Sequence, residues 1–298
     1  MKIISACPVC GSNTLTHKHS CVDFLVTKSS FDILECADCG ACATSPQPEA
    51  GEIATFYESE EYIAHSGKST GLIEILYKIV RRYTLRRKRT FMEDRAGLIK
   101  GTILDFGCGT GEFLHVCQQQ GWTVTGLEPG ESARRKATRL LGTPVLDTAD
   151  LTTLDRDQFD VITLWHVLEH VPDPVAVISQ LKRILKHNGA LIVAVPNYTG
   201  TDARYYGSAW AAWDVPRHLV HFSPRAMRHL AAQAGLTITR VTGMPFDPFY
   251  VSLLTEKSVK SNGRLWRGFA IGFWSWLTAL LRWENSSSLI YVMKDETV

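Results

Sequence analysis

From Thr102 onward, short apolar segments alternate with segments of helical period, and this alternation constrains the fold more than any other feature of the chain. The predicted strands are 102–106, 122–127, 144–147, 159–164, 189–195, 236–241 and 287–294. The predicted helices between them are 112–120, 131–141, 174–186 and 224–234. Strands that alternate with helices form parallel sheets with helices on both faces. We therefore predict an α/β fold built on a doubly wound, seven-stranded sheet.

The first predicted strand leads into a glycine-rich loop, ILDFGCGTGEFL, with glycine at every second position from Gly107 to Gly111. Glycines allow the backbone to approach a ligand closely. A dinucleotide-binding loop needs its third glycine at position 112, which is Glu112, and the lysine of a P-loop is also missing. The next strand ends in Glu128, placed to hold a ribose diol. Such a site without a phosphate cradle fits a nucleoside with an amino-acid tail, S-adenosyl-L-methionine (SAM).

Several segments, taken in order, resemble the class I SAM-dependent methyltransferases. They are LDFGCGTG, Glu128, FDVITLWHVLEH (159–170) and GALIVAVPN (189–197). The resemblance covers about residues 100–245 and is closest to the branch of small-molecule and lipid-pathway enzymes that includes the ubiquinone-type O-methyltransferases. Many members of that branch resemble this chain in carrying paired C-x-x-C motifs in front. The resemblance implies a Rossmann-like sheet and methyl transfer from SAM.

The same resemblance assigns residues to the cofactor. The methionine moiety would contact Asp105, Phe106, Gly107, Cys108, Gly109 and Gly111. Glu128 would hold the ribose hydroxyls, and either Asp147 or Asp150 would face adenine. Trp165 belongs to the segment 164–170, which follows a central strand and is therefore expected beside the sulfonium.

The segment after that strand contains His166-x-x-Glu169-His170, which by itself matches a zinc-protease helix. It follows a buried strand, however, and Pro172 and Pro174 would soon end any helix. Ubiquinone-type O-methyltransferases resemble this segment but carry Glu-x-x-Glu-His there, associated with a divalent ion. The histidine at the first position puts a magnesium requirement in doubt. A neutral imidazole with a pKa near ~6.5 could take a proton from the acceptor, so we predict a catalytic role for His166. Glu169 and His170 are expected to orient the loop.

A long connection, 196–224, follows the strand 189–195 and is rich in tyrosine, tryptophan and histidine. Long insertions in compact domains often form binding loops or lids. We predict that it forms the acceptor pocket, with Trp210 and Trp213 as walls and His218 and His221 as candidate bases. The alternative is a packed aromatic cover over the sheet.

Two cysteine pairs, CPVC and CADC, lie near the amino terminus, and each is followed by glycine. Four thiolates at this spacing suit a tetrahedral Zn²⁺ ion. The predicted ligands of a structural zinc ribbon are Cys7, Cys10, Cys36 and Cys39. Cys21 and Cys42 fall outside the paired spacing and are expected to be ordinary thiols.

The predicted domains are a zinc ribbon at 1–47, a helical connector or lid at 48–100, and a methyltransferase domain at 101–298. The connector contains a basic run, 78–89, which is either a solvated helix face or a surface for phosphate, anionic lipid or RNA. A tryptophan-rich helical insertion is predicted at 264–284. Its apolar core is too short to span a bilayer. It would pack in a core or homodimer interface, or lie at a membrane surface.

These features predict a SAM-dependent methyltransferase acting on a small or lipid-linked acceptor, most simply at a hydroxyl oxygen of a sugar, quinone precursor or secondary metabolite. One alternative is an RNA methyltransferase; methylation of a base nitrogen is disfavoured because the tetrapeptide typical of those enzymes is replaced by LWHV. Another is a non-catalytic SAM-binding protein. The hydrophobic content of 45% is ordinary for a globular chain, and a net charge of +2 indicates no particular partner. With no secretory signal, we expect a cytoplasmic protein, with contact at the membrane surface as a variant.

Overall fold

The computed structural model describes residues 1–49, 51–56, 72–259 and 264–295. The predicted connector, 48–100, therefore falls partly outside the described residues, at position 50 and at 57–71. Its carboxyl-terminal part is a long helix, α1 (Leu72–Ala96), as the apolar spacing predicts.

The cysteine-rich segment forms a three-stranded antiparallel meander whose strands are β1 (Leu15–Val22), β2 (Ser30–Cys36) and β3 (Cys42–Ser45). A short fourth strand from the methyltransferase segment, β8 (Val220–His221), pairs with β3. The Thr44 hydroxyl also donates a hydrogen bond to the His218 carbonyl at 2.7 Å. The ribbon is thus joined to the methyltransferase segment through a shared sheet.

The central sheet has the strand order β5-β4-β6-β7-β10-β9. Its strands are β4 (Thr102–Phe106), β5 (Thr123–Leu127), β6 (Phe159–Trp165), β7 (Leu185–Pro196), β9 (Leu236–Gly243) and β10 (Ser288–Asp295). The first four are parallel, and β10 runs antiparallel to both β7 and β9. The predicted α/β fold class is confirmed, and the sheet is mixed because β10 is antiparallel to its neighbours.

One predicted strand is not a sheet strand. The segment 144–147 makes only a single bridge, between Leu146 and Leu127, so the sheet has six strands among the described residues where seven were predicted. The segment leads directly into a 3₁₀ turn, Thr148–Thr153, which is capped by Asp147. The chain leaves the sheet edge there before a ladder can extend.

The centre of the sheet is buried on both faces. Leu191 and Val193 of β7 pack into one apolar cluster, and Ile192 and Ala194 pack into another on the opposite face. A near-continuous apolar run is what a parallel strand covered by helices on both sides requires. The carboxyl ends of β4, β5 and β6 lie side by side as a result, which brings the segments that follow them together.

Helices cover both faces of the sheet, and local capping sets several of their ends. They are α2 (Glu112–Gln118), α3 (Glu131–Leu141), α4 (Pro174–Ile184), α5 (Thr201–Tyr206), α6 (Pro224–Gln233), α7 (Asp247–Val259) and α8 (Leu265–Leu281). Asp173 and Ser223 accept hydrogen bonds from backbone amides at the starts of α4 and α6, each followed by proline at the first helical position.

The predicted tryptophan-rich insertion, 264–284, contains α8, which packs against α7. Gly268 and Gly272 face α7 so closely that an added Cβ would lie 3.0 Å from the Leu253 Cα and 2.7 Å from the Phe249 Cα. The large side chains of α8 therefore face outward, and Trp266, Phe269 and Trp274 are more than half exposed. No helix in the described part of the chain is long and apolar enough to cross a membrane.

Candidate active site

The glycine-rich loop lies between β4 and α2 and needs glycine for steric reasons. Gly107, Gly109 and Gly111 have φ values of 75°, 56° and 83°, a region that other residues adopt only with strain. A Cβ on Gly107 would also lie 2.5 Å from a methyl carbon of Val167. The loop is in this way pressed against the segment that follows β6.

The carboxylate of Glu128, at the tip of β5, accepts hydrogen bonds from the backbone amides of Gly109 and Gly130, both at 2.9 Å. Glu128, the residue predicted to hold the ribose, therefore contacts the glycine-rich loop. The Asp147 side chain accepts a hydrogen bond from the Ala149 amide in its own turn and forms an ion pair with Arg134 at 2.6 Å. Asp150 accepts from the Asp147 amide at 3.0 Å. The assignment of either aspartate to adenine remains a prediction.

The other predicted cofactor residues surround the same loop. Asp105 is buried and accepts a hydrogen bond from the Thr163 hydroxyl at 2.6 Å, while burial raises the pKa of its carboxyl to about 7. The side chains of Phe106 and Cys108 pack into the two cores, so that only their backbone is available to a ligand. The indole nitrogen of Trp165 is buried and has no hydrogen-bond partner among the described residues.

A cavity of about 410 Å³ opens at the carboxyl edge of the sheet, where His166 after β6 and Pro196 at the end of β7 line it. One cluster of its lining is polar and contains Lys88, His166, Glu169, His218 and Asp247. Most of the remaining lining is apolar and includes Phe24, Leu25, Trp210, Trp213, Val251 and Leu254. An apolar pocket with a few convergent polar groups is the usual form of a small-molecule site.

His166 is held between two carboxylates. Its Nδ1 lies 3.4 Å from Oε1 of Glu169, and its Nε2 lies 3.3 Å from Oδ2 of Asp247. Burial opposes a charged ring, but the two carboxylates outweigh it and raise the pKa of His166 to about 9. This pKa favours an imidazolium at neutral pH over the neutral imidazole expected from the sequence, and a catalytic role for His166 stays a prediction. Its φ of 59° is unusual for a residue other than glycine, a type of strain that clusters at functional sites.

His218 has the opposite character. Its Nδ1 lies 2.9 Å from the Ala212 carbonyl, so that Nδ1 carries the proton and Nε2 is the acceptor nitrogen. Burial lowers the pKa of His218 to about 4. The residue is therefore neutral at physiological pH, and it lines the cavity.

The third candidate base, His221, does not line the cavity. It lies on β8, where its Nε2 is 2.9 Å from the Thr44 hydroxyl of the ribbon. Its ring also meets Trp213 edge-on, with centroids 4.8 Å apart. The prediction of a catalytic role for His221 is corrected to a structural one, because strand pairing with β3 turns this side chain into the interface with the ribbon.

Glu169, His170 and His218 offer one carboxylate oxygen and two ring nitrogens within 4.8 Å of one another. The Nδ1 atoms of both histidines contact backbone carbonyls, of Arg217 at 3.0 Å and of Ala212 at 2.9 Å, the usual support of metal-binding imidazoles. Mg²⁺ prefers oxygen ligands, so this donor set does not fit it and would suit a borderline ion such as Zn²⁺ or Fe²⁺. Such an ion would occupy Nε2 of His218, so this nitrogen can serve either as a metal ligand or as a proton acceptor, but not as both.

The four ribbon cysteines form a second cluster. The sulfur atoms of Cys7 and Cys39 are 3.5 Å apart, as are those of Cys10 and Cys36, and all four lie within 4.8 Å of one another. Zn–S bonds of about 2.3 Å in a tetrahedron need S···S separations of roughly this size. The two other ribbon cysteines, Cys21 and Cys42, are buried thiols, and burial raises the pKa of each to about 12.

Comparisons with known proteins identify the family of the domain that holds the glycine-rich loop. A family model described as a methyltransferase domain matches residues 77–241, more than half of the chain. The chain belongs to the SAM-dependent methyltransferases. Its relatives include the ubiquinone biosynthesis O-methyltransferase of Pseudomonas paraeruginosa, 29% identical over 171 residues that cover 53% of this chain and 74% of that protein. The enzyme of the same name from Thiobacillus denitrificans is 27% identical over 174 residues, with the same coverage.

Solved structures show the same fold for this methyltransferase. Geranyl diphosphate C-methyltransferase from Streptomyces coelicolor superposes with a TM-score of 0.53 at 14% identity, covering 80% of this chain and 86% of that one. A putative sarcosine dimethylglycine methyltransferase from Galdieria sulphuraria gives 0.51 at 17% identity, covering 71% and 87%. At such identities the likeness concerns the fold alone.

Some residues of the site were missed in the sequence. Lys88 belongs to the basic run, for which a solvated helix face and a surface for phosphate, lipid or RNA were the two expectations. Its Nζ lies 4.5 Å from the centre of the Trp165 ring, and burial lowers its pKa. Asp247 begins α7, which follows β9, the strand farthest from the glycine-rich loop in the sheet order. No spacing in the chain links Asp247 to His166. For Lys88, the sequence offered one signal: its helical position places it on the apolar side of α1.

Proposed function

We propose that the methyltransferase transfers the methyl group of SAM to a hydroxyl oxygen of a small or lipid-linked acceptor bound in the 410 Å³ cavity. The observation that carries the proposal is that one short segment after β6 reaches both the glycine-rich loop and the cavity. Val167 touches Gly107, and its neighbour His166 lines the cavity. The acceptor and the sulfonium would therefore meet at the end of β6. The names of the sequence relatives support an oxygen acceptor.

In the reaction the acceptor oxygen attacks the methyl carbon in line with the departing sulfur. The C–O bond forms, the C–S bond breaks, and S-adenosylhomocysteine leaves. The hydroxyl proton passes to Nε2 of His218, which is neutral and whose ring is fixed by the Ala212 carbonyl. Glu169 would offset the positive charge that His218 gains. His166 acts as a positioning residue, because its imidazolium holds Glu169 and Asp247 together.

The test is transfer of labelled methyl from SAM into cell extract that is then fractionated into lipid, small polar, RNA and protein pools. We expect label in the lipid or small-molecule pool, and a Gly107→Ala variant as background. The labelled compound can then be identified by mass. Label in RNA would refute the proposed acceptor class, and the exposed basic side chains of α1 would then be the first candidates for an RNA contact.

The two histidines predict a distinctive pH profile. Activity should rise with pH through about 4 as His218 loses its proton, and then stay level. It should fall above about 9, where His166 becomes neutral and no longer bridges two carboxylates. A His218→Gln variant should lose activity by ~10²–10⁴-fold, the usual contribution of a general base.

His166→Gln should remove the upper limb of the profile, and His229→Gln, at an exposed position on α6, is the control that should leave the profile unchanged. Activity that instead increases through pH 9 would make His166 the base and would contradict this assignment.

We further propose that the ribbon cysteines hold one structural Zn²⁺ ion. The S···S distances support this, and so do the amides of Val9 and Ala41, which point at the sulfurs of Cys7 and Cys39, each at 3.4 Å.

The outward face of α8 is proposed to rest on an anionic membrane surface. Trp266, Phe269 and Leu280 are exposed by 68%, 59% and 63%. The helix contains no acidic residue, and Arg264 and Arg282 flank it. Aromatic side chains with flanking arginines suit a position at lipid headgroups. The inner side of α8 packs on α7, which lines the cavity, so that a lipid-linked acceptor would have a short path to the site.

Co-sedimentation with vesicles checks this contact. The protein should bind vesicles of phosphatidylglycerol and phosphatidylcholine more strongly than phosphatidylcholine alone. A Phe269→Ser/Leu280→Ser variant should lose most of the binding, whereas Ile99→Ser, at an apolar position that is 79% exposed, should not. A homodimer in ultracentrifugation that the same double variant dissociates, without vesicle binding, would show instead that a second copy covers α8.

A further inference from the structure

The cavity is not built by the methyltransferase segment alone, because the ribbon supplies part of its wall. The tip of the ribbon, defined here as residues 23–29, joins β1 to β2. Phe24 and Leu25 of this tip line the cavity, together with Cys21 at the end of β1. Val26 belongs to the same tip and does not line it.

The tip is held in one conformation by a fully buried aspartate. Asp23 accepts hydrogen bonds from the backbone amides of Leu25, Val26 and Thr27, at 3.1, 3.2 and 2.8 Å. These bonds fold the turn around the carboxylate, so the directions of the Phe24 and Leu25 side chains are set locally.

The same carboxylate anchors the tip to the acceptor loop. Asp23 accepts from Arg217 at 3.0 Å, and the guanidinium, which is 1% exposed, also donates to Asp214 at 2.9 and 2.7 Å. A buried charge that loses its partner is strongly destabilising, so this three-residue group fixes the ribbon tip against 214–217. The next residue, His218, is the proposed base. One short segment thus carries both the anchor of the tip and the group that takes the proton.

We propose that the ribbon tip is part of the acceptor-binding site and selects the acceptor by its apolar portion. The hydroxyl of the acceptor would lie at the polar cluster, and its apolar portion would lie along Phe24 and Leu25 facing the cavity. This inference rests on the proposed function for the position of the hydroxyl, but it concerns a binding surface that can be measured without catalysis.

The experiment uses the zinc-loaded full chain with S-adenosylhomocysteine and a series of 4-alkylphenols, from 4-methylphenol to 4-nonylphenol, as probes. These compounds join one hydroxyl to an apolar chain of increasing length. Calorimetric affinity should rise by about three- to fourfold per CH₂ while the chain still finds apolar wall, as expected from roughly 0.8 kcal/mol per buried CH₂. Leu25→Ala should lower the affinity for 4-nonylphenol by about tenfold and leave the affinity for 4-methylphenol within about twofold of the wild-type value. Val26→Ala is the matched control and should bind the whole series like the wild type.

The outcomes separate this inference from the proposed reaction. If Leu25→Ala bound probes of every chain length with wild-type affinity, the role of the tip would be overturned. An equal loss of affinity for short and long probes would overturn it as well. Failure of the whole series to bind the wild type would also overturn it. Absence of methyl transfer to any bound alkylphenol or extract component, with the chain-length effect intact, would count against the proposed reaction and leave the ribbon tip as a binding surface.

Discussion

Replacing Gly107 with alanine should weaken SAM binding by about 10- to 100-fold and remove methyl transfer. A residue other than glycine with φ near 75° carries a cost of roughly 1–2 kcal/mol. The added Cβ would also meet Val167 at 2.5 Å, so either the loop or the segment after β6 must move. About 1.4 kcal/mol corresponds to a tenfold loss of affinity, and the steric contact adds to the backbone strain. Titration calorimetry with SAM measures the effect.

Two further variants show whether the contact with Val167 is the cause. Gly142→Ala places the same strain, with φ at 69° and nothing within 4 Å, at the end of α3, and it should leave SAM affinity unchanged. Adding Val167→Ala to Gly107→Ala should recover part of the lost affinity. If Gly107→Ala bound SAM like the wild type, the loop would not be the cofactor site proposed here.

Loss of the ribbon zinc should affect the whole protein. A Cys36→Ser variant should fall from about one bound zinc per chain to none, with a large drop in melting temperature, because structural zinc sites contribute on the order of 10 kcal/mol to folding. Cys36 and Val9 belong to the same buried apolar cluster as Leu104 of the central sheet, so an unfolded ribbon would expose that core. Metal analysis and calorimetric melting measure the two effects.

The matched control is Cys42→Ser, which changes a buried ribbon thiol outside the Cys₄ cluster and should keep the zinc. A wild-type protein that binds no zinc, or a Cys36→Ser variant with an unchanged melting temperature, would refute a structural ion. Limited proteolysis offers a second readout, since zinc loss should open the 1–49 segment to cleavage.

Much of the fold followed from local pattern. Segments of apolar residues predicted β4, β6 and β9 to within one or two residues, and α3 was predicted to the residue. The prediction of a strand at 144–147 failed because so short a segment, with three apolar residues before Asp147, cannot show whether it pairs with a neighbouring strand along its length. Here the capped turn at Asp147 ends the pairing after a single bridge.

The histidines show where sequence reasoning stops. His166 was chosen because it follows a predicted strand, and His218 and His221 because they lie in the long connection 196–224. Their ionisation depends on contacts made in the folded protein. Asp247 and Glu169 charge His166, burial keeps His218 neutral, and the ribbon binds His221. Of the partners of His166, Glu169 lies three residues away and could be read from the sequence, whereas Asp247 could not.

The sequence by itself therefore determined the alternation of strands and helices, the glycine-rich loop and the two cysteine pairs, because backbone conformation, burial period and ligand spacing are local properties. Only the tertiary structure decided that the ribbon is a wall of the cavity, that Lys88 points inward, and that the pKa of His166 is raised while that of His218 is lowered. The physical reason is that charge and desolvation depend on distances between segments. The contact of Asp23 with Arg217 joins residues 194 positions apart, a separation that no local pattern encodes.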